Sequence, residues 1–306
     1  MQLQPMVNIL LSTFNGALYL TSQLDSLLAQ TYRNIIITIR DDGSDDHTLA
    51  LAEHYAERHP QIKVIPGPNL GIIKSYFHLL QVAEPEAHYF AFCDQDDVWS
   101  PDKISAAVEK LAGLDMSKPL LYCSVVEYVD SNLNHLGFSN EIKEFSFRTA
   151  LAENVVTGCT AVINQAAREL VLSSLPRFAL IHDWWLYLVV SAFGEMAYDN
   201  RTYIKYRQHD ANFIGGEPGF IRHFVRRLKR FLGPTNHEFT ITKQAAEFLR
   251  CFGPHLKVRD REVLLSLLAS KKNYLSRCQY ALNPGVKRQS AFDQALFRCL
   301  IMLNRY

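Results

Sequence analysis

Between Met6 and about Val129, short β-rich runs alternate with stretches whose apolar residues recur at helical spacing, and this alternation most constrains the fold. Val7 to Leu11, Ile35 to Arg40, Ile62 to Ile65, Tyr89 to Cys93 and Leu120 to Val129 read as strands. Between them, Leu20, Leu24, Leu27 and Leu28 form one apolar helical stripe, and Leu49, Ala52, Tyr55 and Ala56 form another. Such βα units stack into a mostly parallel sheet covered by helices. The expected fold class is α/β, a doubly wound sheet.

In open sheets of this kind ligands bind beyond the carboxyl ends of the strands. Polar residues cluster there: Ser12-Thr13-Phe14-Asn15 after the first strand, Asp41-Asp42-Gly43-Ser44 after the second, Asn69-Leu70-Gly71 after the third, Asp94-Gln95-Asp96 after the fourth. The fourth turn is the sharpest signal, because an apolar strand delivers Asp94, Asp96 and Asp97 to one place. Like charges so close raise one another's pKa and cost stability unless a cation or hydrogen-bond donors offset them. The competing reading is a solvated acidic turn that starts the next helix. Ser100-Pro101-Asp102 resembles an N-cap followed by Pro at the first helical position, which would make Asp97 or Asp102 a local capping residue.

Composition narrows the remaining classes. The 306 residues are 48% hydrophobic, enough to bury one large domain or two small ones. A net charge of +1 argues against a nucleic-acid partner, which would demand a basic excess. Cysteines at positions 93, 123, 159, 251, 278 and 299 form no CxxC pair and read as reduced, mostly buried thiols of a cytoplasmic protein. Met1-Gln2-Leu3-Gln4-Pro5 lacks the features of a secretory signal, so no export is expected. The longest apolar runs, such as Trp184 to Phe193, reach about half of the roughly 20 residues that a spanning helix requires.

After Asp130 the alternation weakens. Thr157 to Ile163 and two helical stretches around Ile181-His182-Asp183-Trp184-Trp185 are followed by short strands near Met196 to Tyr198 and Thr202 to Tyr206. From Phe220 onward strand signals vanish, and the expected division is a catalytic domain over 1–215 and a helical C-terminal region over 216–306. Phe220 to Leu232 has an apolar stripe backed by Arg222, Arg226, Arg227, Lys229 and Arg230. It reads either as a helix docking on an anionic membrane or as one with a solvated basic face.

No GxGxxG follows the first strand and no P-loop occurs, so a phosphate ligand needs another countercharge. Asp94 and Asp96 could supply it by holding Mg²⁺ or Mn²⁺, hard cations that prefer oxygen ligands. In their order along the chain, Ser12-Thr13-Phe14-Asn15, Asp41-Asp42-Gly43-Ser44-Asp45-Asp46 and Asp94-Gln95-Asp96-Asp97 are similar to the nucleotide-binding and DxD motifs of family 2 inverting glycosyltransferases. The resemblance covers the first two-thirds of the chain and implies a GT-A fold: a doubly wound mixed sheet, here with a C-terminal helical appendage. It also implies that Ser12, Asn15, Asp41 and Asp42 hold base and ribose, without distinguishing Asp41 from Asp42. Asp96 becomes the principal metal ligand and Asp94 a contact to ribose or metal-bound water. Asn69, Lys74 and Gln95 complete the set expected to bind the nucleotide sugar.

The family carries its catalytic base in an acidic pair at a helix start beyond the DxD. His182-Asp183-Trp184-Trp185 stands at the matching place, so Asp183 inherits that role. His stands where a Glu often precedes the Asp, and for His182 a core or capping role is as compatible as a functional one. Tyr206-Arg207-Gln208-His209-Asp210, with Asp-Trp-Trp and the Gln-Asp-Asp-Val-Trp turn, is similar to bacterial rhamnosyltransferases that assemble surface polysaccharides. That narrower resemblance implies Arg207 and His209 on the diphosphate, dTDP-L-rhamnose as donor with UDP-hexoses close behind, and a saccharide acceptor on a lipid carrier. The alternatives from other classes are a non-catalytic sugar-nucleotide-binding subunit and a metal-dependent phosphohydrolase.

Overall fold

The computed structural model describes residues 4–209 and 240–306. These divide into two compact units. The described part of the first comprises 4–141, 156–172 and 194–209, and that of the second 142–155, 173–193 and 240–306. The sequence boundary expected at 215/216, and the Phe220–Leu232 segment, lie outside the described residues.

The first unit is built on one sheet. Strands β1 (Val7–Thr13), β2 (Ile35–Asp41), β3 (Ile62–Pro66) and β4 (Tyr89–Cys93) alternate with helices α1 (Ala17–Leu28), α2 (Thr48–Arg58) and α3 (Ile72–Val82). β5 (Val98–Trp99), α4 (Lys103–Ala112), β6 (Leu120–Val129), β7 (His135–Phe138), β8 (Val162–Asn164) and β9 (Glu195–Arg207) follow. Among the described residues the strand order is β3-β2-β1-β4-β8-β6-β9-β5, with β7 paired to β6. β3, β2, β1 and β4 are parallel neighbours, as expected of βα units, whereas β8 enters antiparallel to β4 and makes the sheet mixed.

Register places the site. β1 is central, and its Val7, Ile9, Leu10 and Leu11 are all buried, the near-continuous apolar run that a strand covered on both faces requires. Thr13 pairs with Asp41, Leu11 with Cys93 and Asp41 with Pro66, so the turns after β1, β2, β3 and β4 leave the sheet at one edge.

The two short strands expected within 196–206 form the single strand β9. A register slip between Ser124 and Val125 absorbs the polar Asn200-Arg201 step, where Asp199 Oδ1 accepts the Arg201 amide at 3.0 Å, and the ladder then resumes. β9 lies between β6 and β5, which carries Arg207 and His209 to the acidic turn.

The second unit is helical: α5 (Phe147–Ala150), α7 (His182–Phe193), α8 (Ile241–Phe252), α9 (Val258–Ala269), α10 (Tyr274–Leu282) and α11 (Ala291–Met302), with α6 (Gln165–Ser173) ending at its border. Trp185 and Phe248 pack edge to face at 5.5 Å, and Phe252 lies 5.2 Å from Phe248. Thr240, Asn273 and Ser290 accept backbone amides as side-chain caps of α8, α10 and α11. Among the described residues no helix is long and apolar enough to cross a membrane.

Candidate active site

The acidic turn is held from below. Asp97 is fully buried; its Oδ1 accepts the Arg207 amide at 3.2 Å, and its Oδ2 has no hydrogen-bond partner. Burial, then the charges of Asp96 and Asp94, push its carboxyl well above the usual range. Asp94 Oδ1 lies 2.7 Å from the Tyr76 hydroxyl of α3, and burial together with Asp96 raises it to about 6. Lys103, at the start of α4, is also buried, with Nζ 3.3 Å from the Trp99 ring centre; burial brings it down to about 8. Neither acid caps α4 through its side chain: Asp97 serves Arg207, and Asp102, although at the N-cap position, accepts the Thr31 hydroxyl at 2.9 Å instead.

Asp94, Asp97 and Cys159 each bring a ligand atom within 4.8 Å of the others. Cys159 is a poor member of a hard-cation set, because burial keeps its thiol protonated. Mutually repelling carboxylates with one buried oxygen unpartnered suit a divalent cation such as Mg²⁺ or Mn²⁺. Asp96, expected as principal ligand, sits 16% exposed at the same turn with Oδ2 2.8 Å from His209 Nε2.

The turns after β1 and β2 are knitted together by the very residues expected to bind nucleotide. Asp41 Oδ1 accepts the hydroxyls of Thr13 (3.0 Å) and Ser44 (2.6 Å), and Oδ2 the amides of Gly43 (3.2 Å) and Ser44 (2.9 Å). Asp42 is ion-paired with buried Arg40 and accepts the amides of Leu70 at 2.7 Å and Gly71 at 2.9 Å, which fastens the third turn to the second. Ser12 Oγ lies 2.6 Å from Ser75 Oγ. Asn15, at φ 48°, donates its amide to Ser44 Oγ and accepts that of Asp45 on Oδ1, both at 3.0 Å.

Gln95 makes a reciprocal bridge to the first turn. Its Oε1 accepts the Phe14 amide at 2.9 Å and its Nε2 donates to the Phe14 carbonyl at 3.0 Å. A Cβ at Gly16 would lie 2.1 Å from that Oε1, so the bridge requires glycine there. Asn69 and Lys74 are exposed on the third turn and α3. Phe14, not singled out from the sequence, leaves its ring 46% exposed at this edge; an apolar residue inside a polar strand end was its only signal.

Arg207 is buried and committed. Its amide reaches Asp97, Nε donates to the Asp96 carbonyl at 2.8 Å, and NH1 donates to the Ser131 carbonyl. Its guanidinium carbon stands 4.5 Å over the Tyr19 ring, and the His209 ring centre lies 4.9 Å from that of the same Tyr19, so one α1 side chain braces both. Tyr19, Tyr76 and Lys103 were missed by sequence reasoning: the two tyrosines fall on helical stripes indistinguishable from core, and Lys103 reads as a surface lysine.

Asp183 and His182 belong to the second unit, at the N-terminus of α7. Asp183 is buried, and its Oδ1 accepts Asn154 Nδ2 at 3.0 Å and the Trp184 amide at 2.6 Å. Anionic charge is favoured at a helix N-terminus. His182 is buried too, and burial lowers its pKa to about 3, so its ring is neutral at neutral pH.

Comparison with known proteins agrees with this fold. A family model described as "Glycosyl transferase family 2" matches residues 8–169. The dTDP-rhamnosyl transferase RfbG of Shigella flexneri is 28% identical over 229 residues, covering 71% of this chain and 77% of the relative. An uncharacterized glycosyltransferase of Rickettsia typhi is 28% identical over 213 residues, covering 68% of this chain but only 65% of that protein. Among solved structures, S. aureus TarS 1-349 is similar with a TM-score of 0.56 at 16% identity, covering 98% of this chain and 79% of the other. Mannosyltransferase PcManGT from Pyrobaculum calidifontis, solved with GDP-Man and Mn²⁺, is similar with a TM-score of 0.53 at 16% identity, covering 100% of this chain and 82% of the other.

Proposed function

Because the chain belongs to glycosyl transferase family 2 and has a GT-A fold, we propose that it is a metal-dependent inverting transferase carrying L-rhamnose from dTDP-L-rhamnose to a saccharide hydroxyl. The observation that carries this reading is the convergence, at one sheet edge, of four polar turns around an acidic centre in which Asp94, Asp96 and Asp97 crowd one turn and Asp97 keeps one buried oxygen without a hydrogen bond. The choice of donor is supported by the Shigella relative; a UDP-hexose is the alternative on the same fold.

In this reading Asp96 and Asp94 hold Mg²⁺ or Mn²⁺, which when bound supplies Lewis-acid stabilisation to the departing nucleoside diphosphate. Ser12, Asn15, Asp41, Asp42, Asn69, Lys74 and Gln95 form the nucleotide side. Asp41, Asp42 and Gln95 act by fixing the turns, so that Asn15, Asn69, Lys74 and the Phe14 ring present their exposed groups. His209, beside Asp96, faces the diphosphate, and Arg207 holds the turn that carries it.

Asp183 accepts the acceptor hydroxyl proton while that oxygen attacks the anomeric carbon in line. One displacement inverts the centre. A carboxylate in that place would act as general base. The acceptor is a saccharide, carried on a lipid at the cytoplasmic face of the membrane.

A thermal-shift panel of nucleotide sugars with and without Mn²⁺, followed by transfer assays, tests the proposal. The true donor at about a hundred times its Kd stabilises by roughly 2.7 kcal/mol. Acceptor-dependent rhamnoside formation is expected. Phosphate release without glycoside would make the protein a phosphohydrolase, and Mn²⁺-dependent binding without turnover would make it a binding subunit.

A further inference from the structure

The hairpin of α10 and α11 is apolar on both sides. Its inner face buries Tyr280, Ala281, Phe297 and Ile301, as a packed helix pair should. Its outer face is also apolar: Leu275 is 66% exposed, Leu282 79% and Leu303 57%. The two helices run antiparallel, since Lys271 Nζ before α10 reaches Asn304 Oδ1 after α11 at 2.9 Å. Leu275 and Leu282 are seven residues apart on one helical face, and the outward side of α11 between Phe292 and Met302 carries Ala295 and Cys299. Exposed apolar groups concentrated on one supersecondary unit signal a partner.

Charge says which partner. Residues 270–306 contain seven Lys and Arg side chains against one acid, Asp293. Asp293 is buried in the Ser290 cap of α11, its Oδ2 accepting the Ser290 hydroxyl at 2.8 Å, and so contributes little at the surface. Lys272 and Arg298 are exposed beside the apolar residues.

A second copy of the chain would oppose two such basic faces. The chain's own residues 210–239 bring five more Lys and Arg against three acids and are poorly matched for the same reason. An anionic bilayer supplies both missing complements, apolar depth and negative surface charge.

We propose that the outer face of the α10–α11 hairpin is a docking surface for anionic phospholipid membrane. The residues proposed are others than Phe220–Leu232, and the proposal does not depend on the donor chemistry above, so vesicle binding and glycoside transfer fail independently.

The test is flotation of the full chain with phosphatidylcholine:phosphatidylglycerol (7:3) vesicles and with pure phosphatidylcholine vesicles at about 0.1 M salt. Wild type floats with the anionic vesicles only. Leu275→Ser with Leu282→Ser and Leu303→Ser weakens partitioning at least about tenfold, and Lys272→Gln with Arg298→Gln weakens it about fivefold per charge removed. Leu282→Ser alone, at the most exposed position of the set, lowers partitioning about threefold should the triple variant misfold.

Three results would overturn the proposal. Wild type could remain unbound to anionic vesicles. The Leu variants could bind as wild type while Gln replacement of Arg222, Arg226, Arg227, Lys229 and Arg230 abolishes binding. Light scattering could show a dimer that the Leu variants dissolve, which would assign the face to a second copy.

Discussion

Replacing His182 by Gln should make the second unit less sensitive to acid. The imidazole is 3% exposed, and burial alone lowers its pKa from 6.5 to about 3. Between those values the unfolded chain binds a proton that the folded chain does not, so stability falls as pH drops from 6.5 toward 3. At one pKa unit per 1.36 kcal/mol, the 1.5 units between 6.5 and pH 5 amount to about 2 kcal/mol lost at pH 5 relative to pH 7. Gln does not titrate, so the variant keeps that increment whatever its stability at pH 7. Urea titrations at pH 7, 6 and 5 measure it, and fluorescence of Trp184 and Trp185 reports on the second unit. Other titrating groups are common to both proteins and cancel in the difference. Identical pH slopes for wild type and His182→Gln would show that the ring is not held neutral by burial, and would reopen an acid–base role for it.

Asp42→Ala should cost about 3–5 kcal/mol, because it strands the buried Arg40 guanidinium and orphans the Leu70 and Gly71 amides; urea denaturation reads the loss. Asp96→Asn should keep the fold and lose Mn²⁺-dependent binding of nucleoside diphosphate; unchanged affinity by calorimetry would remove Asp96 from the metal site. Asp183→Asn should leave donor binding intact while transfer falls about 10²–10⁴-fold, or roughly 2.7–5.4 kcal/mol of barrier. Near-normal single-turnover transfer by that variant would place the base elsewhere.

The α/β architecture was legible because its signals are local. β1 and β4 are continuous apolar runs, α1 and α2 carry single stripes, and those patterns survive folding unchanged. What could not be read was pairing. That β8 enters antiparallel between β4 and β6 depends on contacts some 70 and some 40 residues apart in sequence, and three residues of Val-Ile-Asn carry no direction. The break at Asn200-Arg201 imitated a loop because polar residues at a bulge and at a strand end look alike in one dimension. The second unit, assembled from 142–155, 173–193 and the C-terminal helices, illustrates the same limit: its aromatic core joins Trp185 to Phe248, residues that no periodicity connects.

For the site, the sequence located the acids but not the division of labour among them. Asp41 and Asp42 are equivalent in the string DDGS, yet side chains of successive residues point to opposite sides as a strand ends. Asp41 therefore turns to Thr13 and Ser44 of its own edge, while Asp42 turns to Arg40 and the third turn. In the turn between β4 and β5, Asp96 and Asp97 also part. Asp96 meets His209 near the surface, and Asp97 faces the interior, where the Arg207 amide and the buried Lys103 ammonium stand. A carboxylate with one oxygen unpartnered at full burial is costly unless its neighbours compensate. Lys103 lies seven residues past Asp96, beyond β5, and looks, in sequence, like an ordinary surface lysine after Pro101-Asp102; only its burial against Trp99 shows that a basic side chain stands beneath the acidic centre. The acids of this turn are thus of two kinds, Asp96 near the surface beside His209 and Asp97 locked to the scaffold through the Arg207 amide.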